Sequence, residues 1–353
     1  MANTASNREK LIAQYLLING EGSSSDIHSY LVSNTEDISL VTVKRDISNM
    51  RERGVVVEDG AGPATRYRLT LSGKLMFPIN AHEYCSIEPD RRYGRTAYDF
   101  ELFGGGGKLP ALFSPEELII LDQATGVYRE RKKSLSETLQ KKELERFIVE
   151  LSWKSSKIEG NTYTLLDTER LIEKGIEAEG KTKDEAVMIL NHKNAFSHIY
   201  ENVSKFTDLN KLNVESVHRL LVEGLNVTFN IRSKPVGVTG SRYRPLDNQF
   251  QISEAVERLA TLVNKVDSGY EKALFSILGL SYIQPFEDGN KRTSRLIGDA
   301  MLLSHDLAPL SYRSVDEDVY REAILVFYEL NSIVPFKNIF IEQYKFAAEN
   351  YAL

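Results

Sequence analysis

Apolar side chains return at helical spacing over residues 7–18, where Leu11, Ile12, Tyr15 and Leu16 share one face. A second helix is predicted over 25–32, opened by serines, and a third over 39–53, with Val43, Ile47 and Met50 inward and Gly54 as its stop. Two short extended runs, 55–58 and 65–71, flank the turn formers Asp59, Gly60, Gly62 and Pro63 and predict a hairpin. The period is then lost from 76 to 110, a stretch that includes a glycine run at 104–107 and reads as a linker. From about residue 111 the pattern is helical to the end, without a long-period repeat. Within it, a helix over 144–158 turns Leu144, Phe147, Ile148, Leu151 and Ile158 inward and stops at Gly160 and Asn161. Val236 and Val238 alternate as in a strand and Gly240 and Ser241 supply a turn, so 230–252 predicts a second hairpin. The expected division is 1–75, a linker at 76–110, and a helical domain at 111–353.

Three helices followed by a hairpin is the order of a winged helix, and residues 42–46 (Thr-Val-Lys-Arg-Asp) resemble the recognition helix of DeoR-like regulators. In such a module the third helix enters the major groove and the wing touches phosphate. Lys44, Arg45 and Arg51 on the helix and Arg66 on the hairpin are the candidate DNA contacts. Charge leaves the alternative open. Residues 1–75 hold nine Lys and Arg against nine Asp and Glu, so the module is neutral, and DNA affinity draws heavily on phosphate neutralisation. A neutral module also suits docking to a protein or pairing in a homodimer.

Composition narrows the classes. A net charge of −6 over 353 residues provides no global attraction for nucleic acid or an anionic membrane. The single cysteine, Cys85, excludes an internal disulfide and a cysteine-cluster metal site, and the six histidines include no pair at zinc-ligand spacing. The opening residues are polar and the longest apolar run, 273–283, is far short of a membrane span. The expectation is a cytoplasmic protein with no membrane partner.

Candidate chemistry concentrates at 281–295, SYIQPFEDGNKRTSR. Ala273, Leu274, Ile277, Leu278 and Leu280 predict a deeply buried helix that Pro285 ends, and Arg292, Leu296 and Ile297 open the next. A tight loop between two such helices suits an anion. Gly289 permits a positive φ, so that consecutive amides form a concave nest, and the following helix start adds unpaired amides and its dipole. Arg292 and Arg295, three apart, project from neighbouring positions, and Asp288 is a hard oxygen ligand suited to Mg²⁺. The same residues also suit a plain helix–turn–helix corner with solvated arginines.

Over twelve consecutive positions this segment resembles the Fic motif, H-P-F-x-D-G-N-G-R-x-x-R, through Pro285, Phe286, Asp288, Gly289, Asn290, Arg292 and Arg295. The resemblance extends over about 111–345 and implies a mainly α, helical Fic fold with a β-hairpin flap, behind the small α+β winged-helix domain. It implies an ATP site with Asp288 on Mg²⁺, Gly289 and Asn290 on the α- and β-phosphates, and Arg292 and Arg295 on the distal phosphates. The implied reaction is AMP transfer to a hydroxyl of a protein target presented to the flap. Flap residues Val238, Thr239 and Gly240 then lie on the nucleotide side. Two positions depart from the pattern. Lys291 replaces a glycine and adds a phosphate partner, while Gln284 replaces the histidine that serves as general base. An amide does not accept a proton at neutral pH, so activity is expected to be reduced or altered.

Residues 155–160, SSKIEG, resemble the inhibitory motif of the same family. Ser155 and Glu159 sit four apart on one helix face, ahead of Gly160, and the resemblance implies that Glu159 pairs with Arg295 and blocks productive γ-phosphate binding. His218, beside Val214, Val217 and Leu221, reads as a core histidine. Glu329 aligns where relatives place an adenine-contacting asparagine. The other function class that fits is a non-catalytic, nucleotide-sensing regulator acting through the winged helix.

Overall fold

In the computed structural model the described residues are 6–34, 38–104 and 109–353. The glycine run therefore lies outside them from residue 105 onward. Two compact units are present: Met1–Leu102 with Val238–Arg244 and Leu325–Phe336, and Phe103–Gly237 with Pro245–Ile324 and Lys337–Leu353.

In the first unit, α1 (Asn7–Asn19) opens with a capping box in which the Ser6 hydroxyl accepts from the Glu9 amide and the Glu9 carboxylate accepts from the Ser6 amide. A two-residue strand β1 (Glu21–Gly22) leads to α2 (Ser24–Asn34) and to α3 (Leu40–Glu52), which is capped by Ser39. Strands β2 (Val56–Asp59) and β3 (Arg66–Leu69) pair antiparallel, with Val56 opposite Leu69, and β1 joins the free edge of β3. Ile12, Leu16, Ile27, Leu31, Val43, Ile47 and Met50 bury the inner faces of the helices against Val56 and Leu69. The hairpin puts its cations in solvent, where Arg66 meets Asp26 at 2.8 Å and Arg51 of α3 meets Glu58 at 2.5 Å. Lys44 and Arg45 are exposed and carry no ion pair among the described residues.

The stretch read as a linker is packed as far as residue 102. A short helix at Leu71–Leu75 precedes it, and the stretch itself forms a helix at Ala81–Cys85 and adds Phe77 and Tyr84 to the same core. Asp99, 3% exposed, is held by Lys74 at 3.0 Å and Arg95 at 2.8 Å. Isolated aromatics and a buried carboxylate hold it, and neither leaves a periodic signature.

The second unit is helical. It contains α4 (Pro115–Ser134), α5 (Glu137–Ile158), α6 (Leu165–Lys174), α7 (Lys183–Glu201), α8 (Lys211–Val222), α9 (Gln249–Asn264), α10 (Gly269–Ile283) and α11 (Asn290–Ser304). It also takes the residues of α12 (Glu317–Leu330) as far as Ile324. α10 is buried from Lys272 to Ile283 without a solvated face, which is why its sequence is apolar all round from Ala273 onward. It packs closely on α11 because Gly298 has no side chain: a Cβ there would stand 2.5 Å from Ile277 Cδ1.

The second predicted hairpin is absent as a ladder. Residues 230–248 contain no strand, but an isolated parallel bridge from Arg244 to Ala97 and a turn in which the Ser241 amide donates to Val238 O at 3.1 Å with Gly240 at φ 78°. The physical reason is competition for the backbone. The buried Arg232 guanidinium donates to the carbonyls of Lys234 and Leu246, and Arg92 donates to Gly240 O at 2.6 Å.

Candidate functional site

The site is built in the second unit, at the loop joining α10 to α11. Pro285 has no amide to continue α10, so the helix closes on Gln284, whose backbone is left-handed at φ 52° and ψ 60°. Its amide still donates to Leu280 O at 3.1 Å and its carbonyl accepts from Arg232 Nε at 2.7 Å. The side chain folds back, Nε2 donating to Ser281 O at 2.7 Å. Gln284 is 8% exposed, at the rim of the interior.

Asn290 closes the loop on itself. Its Oδ1 accepts from the Phe286 amide and its Nδ2 donates to the Phe286 carbonyl, both at 2.8 Å. Phe286 is held from the other side by His218, stacked at 3.6 Å with the rings 3° from parallel. The His218 nitrogens lie 3.3 Å from Thr293 Oγ1 and 3.3 Å from Thr228 O. Gly289 takes φ 76°, and a Cβ there would press on Val222 at 3.4 Å. The chain thus enters α11 with the amides of Asn290, Lys291 and Arg292 lacking intrahelical acceptors.

His218 has a measurable consequence. Burial pushes its pKa down to about 4 from 6.5, so the folded protein keeps it neutral while the unfolded chain protonates it. This stability is fully present above pH 6.5 and is lost as pH falls toward 4, roughly 2 kcal/mol by pH 5. Buried His192, lowered for the same reason, adds to the slope. Thermal unfolding at pH 7.5 and pH 5 should show a markedly smaller drop in H218Q than in the native chain. Equal drops would show that His218 does not titrate this way.

Two guanidiniums reach the loop from one face of α11. Arg292, 1% exposed, donates Nη2 to Asp288 Oδ2 at 2.9 Å, while its Nε and Nη1 have no partner among the described residues. Burial lowers its pKa, and Asp288 and Glu159 only partly offset that. Each nitrogen of Arg295 has a partner: Nε donates to Ser155 Oγ, Nη2 to Ser155 O and Nη1 to Glu159 Oε1, each at 2.9 Å, with the Tyr320 ring 5.3 Å away. Glu159 caps α5, and its other oxygen accepts from Lys291 at 3.3 Å. Burial pushes the Glu159 carboxyl up, but Arg295, Lys291 and Arg292 outweigh it and hold the group below its usual 4.5.

Gln284, Asp288, Gly289, Asn290, Lys291, Arg292, Arg295, Ser155 and Glu159 are therefore one cluster, and Gly160 turns the chain away behind them at φ 95°. Val238, Thr239 and Gly240 belong to the first unit, as does Glu329. Glu329, 4% exposed, accepts from Ser241 Oγ at 2.6 Å, Tyr84 OH at 2.7 Å and Arg92 Nη1 at 3.3 Å. Its carboxylate is committed to protein donors. Sequence reasoning did not assign roles at this site to His218, His192, Arg232, Thr293 or Tyr320, whose partners are distant in the chain.

The unpartnered Arg292 donors and the loop amides, with Lys291 now on Glu159, are donors of the kind a phosphate chain requires. No group of three or more His, Cys, Asp or Glu able to hold a metal occurs among the described residues. Asp288, 64% exposed, is a carboxylate oxygen source for a cation that phosphates would also ligate. No helix among the described residues is long and apolar enough to cross a membrane.

Residues 208–302 match the Fic/DOC family. Over 172 residues the chain is 27% identical to the protein adenylyltransferase Fic of Nematostella vectensis, covering 48% of this chain and 40% of that protein. The chain thus spans less than half the length of that curated relative. Among solved structures, Fic-1 of C. elegans superposes with a TM-score of 0.57 at 17% identity, covering 67% of this chain and 71% of that one. A Fic domain containing signaling protein of Bacteroides thetaiotaomicron gives 0.56 at 18%, covering 65% and 94%. The chain has the Fic fold, mainly helical, with the family segment placed on α8 to α11.

Proposed function

We propose that the second unit binds ATP at the α10–α11 loop and descends from enzymes that transfer AMP to a protein hydroxyl, with Glu159 restraining the site and Gln284 lowering its rate. The observation that carries this reading is Arg292, a buried guanidinium with two donors unpaired among the described residues. It stands beside a glycine-formed helix start while its neighbour Arg295 is occupied by a carboxylate. A buried cation short of acceptors is costly, and a phosphate supplies them.

In this reading the loop amides and Arg292 hold the phosphates, with Lys291 beside them. A target hydroxyl attacks the α-phosphorus, the new P–O bond forms as the bond to the β-phosphate oxygen breaks, and pyrophosphate leaves. Magnesium held by Asp288 and the nucleotide would neutralise phosphate charge. Positioning of this kind accounts for most phosphoryl-transfer catalysis. The hydroxyl proton has to pass to solvent water, which slows the step, because the Gln284 amide is no base and its Nε2 already donates to Ser281. Calorimetry with ATP and Mg²⁺ tests the binding step: Arg292→Ala should weaken nucleotide affinity at least about tenfold, the loss of a charge-assisted pair. No affinity in the native chain, in R292A or after removal of Glu159 sinks the proposal.

A second reading makes the first unit a winged helix, over 1–75, that binds DNA. Exposed Lys44 and Arg45 on α3, with Val41 78% exposed beside them, favour it. Arg51 and Arg66 speak against it, since Glu58 and Asp26 already hold them. If it is right, DNA affinity falls with salt and K44A/R45A reduces the slope of log K against log salt by about two. A salt-insensitive or absent interaction removes it.

A further inference from the structure

Resting on the reading of Glu159 as a restraint, we propose that His192 is a positioning residue of that restraint, setting the Ser155 hydroxyl so that Arg295 is held in place for Glu159. His192 lies on α7, is 0% exposed, and its Nε2 is 2.8 Å from Ser155 Oγ. The same oxygen accepts from Arg295 Nε at 2.9 Å.

The proton inventory makes the arrangement specific. A guanidinium has no lone pair, so Arg295 must donate, and Ser155 Oγ accepts there. Its own hydrogen is then available to His192 Nε2, which requires the neutral Nδ1–H form. Burial, reinforced by Arg295 and Arg292, keeps the ring neutral. Without such an acceptor, a helical serine commonly returns its hydroxyl to the carbonyl one turn earlier, which would turn its lone pairs away from Arg295. His192 Nδ1 has no partner among the described residues. Leaving one ring nitrogen unsatisfied in the interior is unfavourable, so the contact through the other is what the ring contributes here. Ser155 O is fixed by the helix, whereas the hydroxyl is free to rotate. His192 removes that freedom, and the Arg295 contacts to Ser155 and Glu159 then form together.

Hydrogen exchange on the full chain tests this without any nucleotide. Amides at 156–161 should exchange about fivefold faster in His192→Leu, the equivalent of one neutral hydrogen bond. His192→Gln, which can present an amide oxygen near Nε2, should restore most of the protection. S155A should show the same acceleration, and H192L added to S155A should change nothing further. ATP titration gives the functional arm: H192L strengthens binding in the native background and has no effect in E159G. The proposal is overturned if H192L accelerates α7 as much as 156–161, if glutamine does not rescue, or if H192L and S155A add. Absence of nucleotide binding in every variant would instead overturn the ATP reading, with the exchange result still deciding the role of His192.

Discussion

Replacing Gln284 with histidine should raise AMP transfer by about 10²–10⁴-fold, the range associated with a general base. The position is prepared for it. Its backbone is left-handed at φ 52°, a conformation histidine tolerates better than most side chains, and Arg232 pins its carbonyl. In the native chain the side-chain amide donates to Ser281 O. An imidazole whose Nδ1–H takes that carbonyl keeps a lone pair on Nε2, with a pKa near neutrality in the free residue. Self-modification from ATP labelled at the α-phosphate, measured in Q284H with and without E159G, provides the readout. If nucleotide binds but labelling does not rise, the divergence of this site lies beyond one residue.

Glu159→Gly should strengthen ATP binding about ten- to a hundredfold while lowering the stability of the nucleotide-free protein. Both effects have one cause. Arg295 is fully buried, and removing the carboxylate that pairs with it at 2.9 Å leaves an uncompensated interior cation, typically a loss of about 3–5 kcal/mol. Lys291 loses its partner as well. A distal phosphate can replace Glu159 against both, so nucleotide should recover much of the lost melting temperature by linkage. Acidification should not mimic the substitution near neutral pH. The Glu159 pKa is depressed in the fold, so its contribution is complete above 4.5 and is lost only as pH falls through that lower folded value. Parallel titration and melting of native and E159G protein decide the matter. An unchanged affinity together with an unchanged melting temperature would show that the pair restrains nothing.

The residues of the loop were legible because their structure is local. Pro285 ends a helix, Gly289 supplies a positive φ, and Arg292 and Arg295 share a face by spacing alone, whereas the bonds of Asn290 back to Phe286 came only from the structure. Ser155 and Glu159 were legible as one helix face for the same reason. Val236 and Val238 alternate without forming a ladder, because alternation reports only side-chain direction. Whether a ladder forms depends on which donors reach the backbone, and Arg232 and Arg92 reach it first. The segment after residue 76 looked structureless because it is held by Tyr84, Arg92 and Asp99 one at a time.

By itself, then, the sequence determined the long helices, the glycine turn between two buried ones and the glutamine that stands where the family motif has histidine, all properties of residues within a few positions of one another. Tertiary structure decided the charge state and occupancy of the cluster: that Arg295 is paired and Arg292 is short of acceptors, that His218 stacks on Phe286, and that His192 stands behind Ser155. These contacts join residues 37 to 140 positions apart. No periodicity encodes them, because they arise only when buried faces of different helices bring polar groups into a low-dielectric interior where each must find a partner.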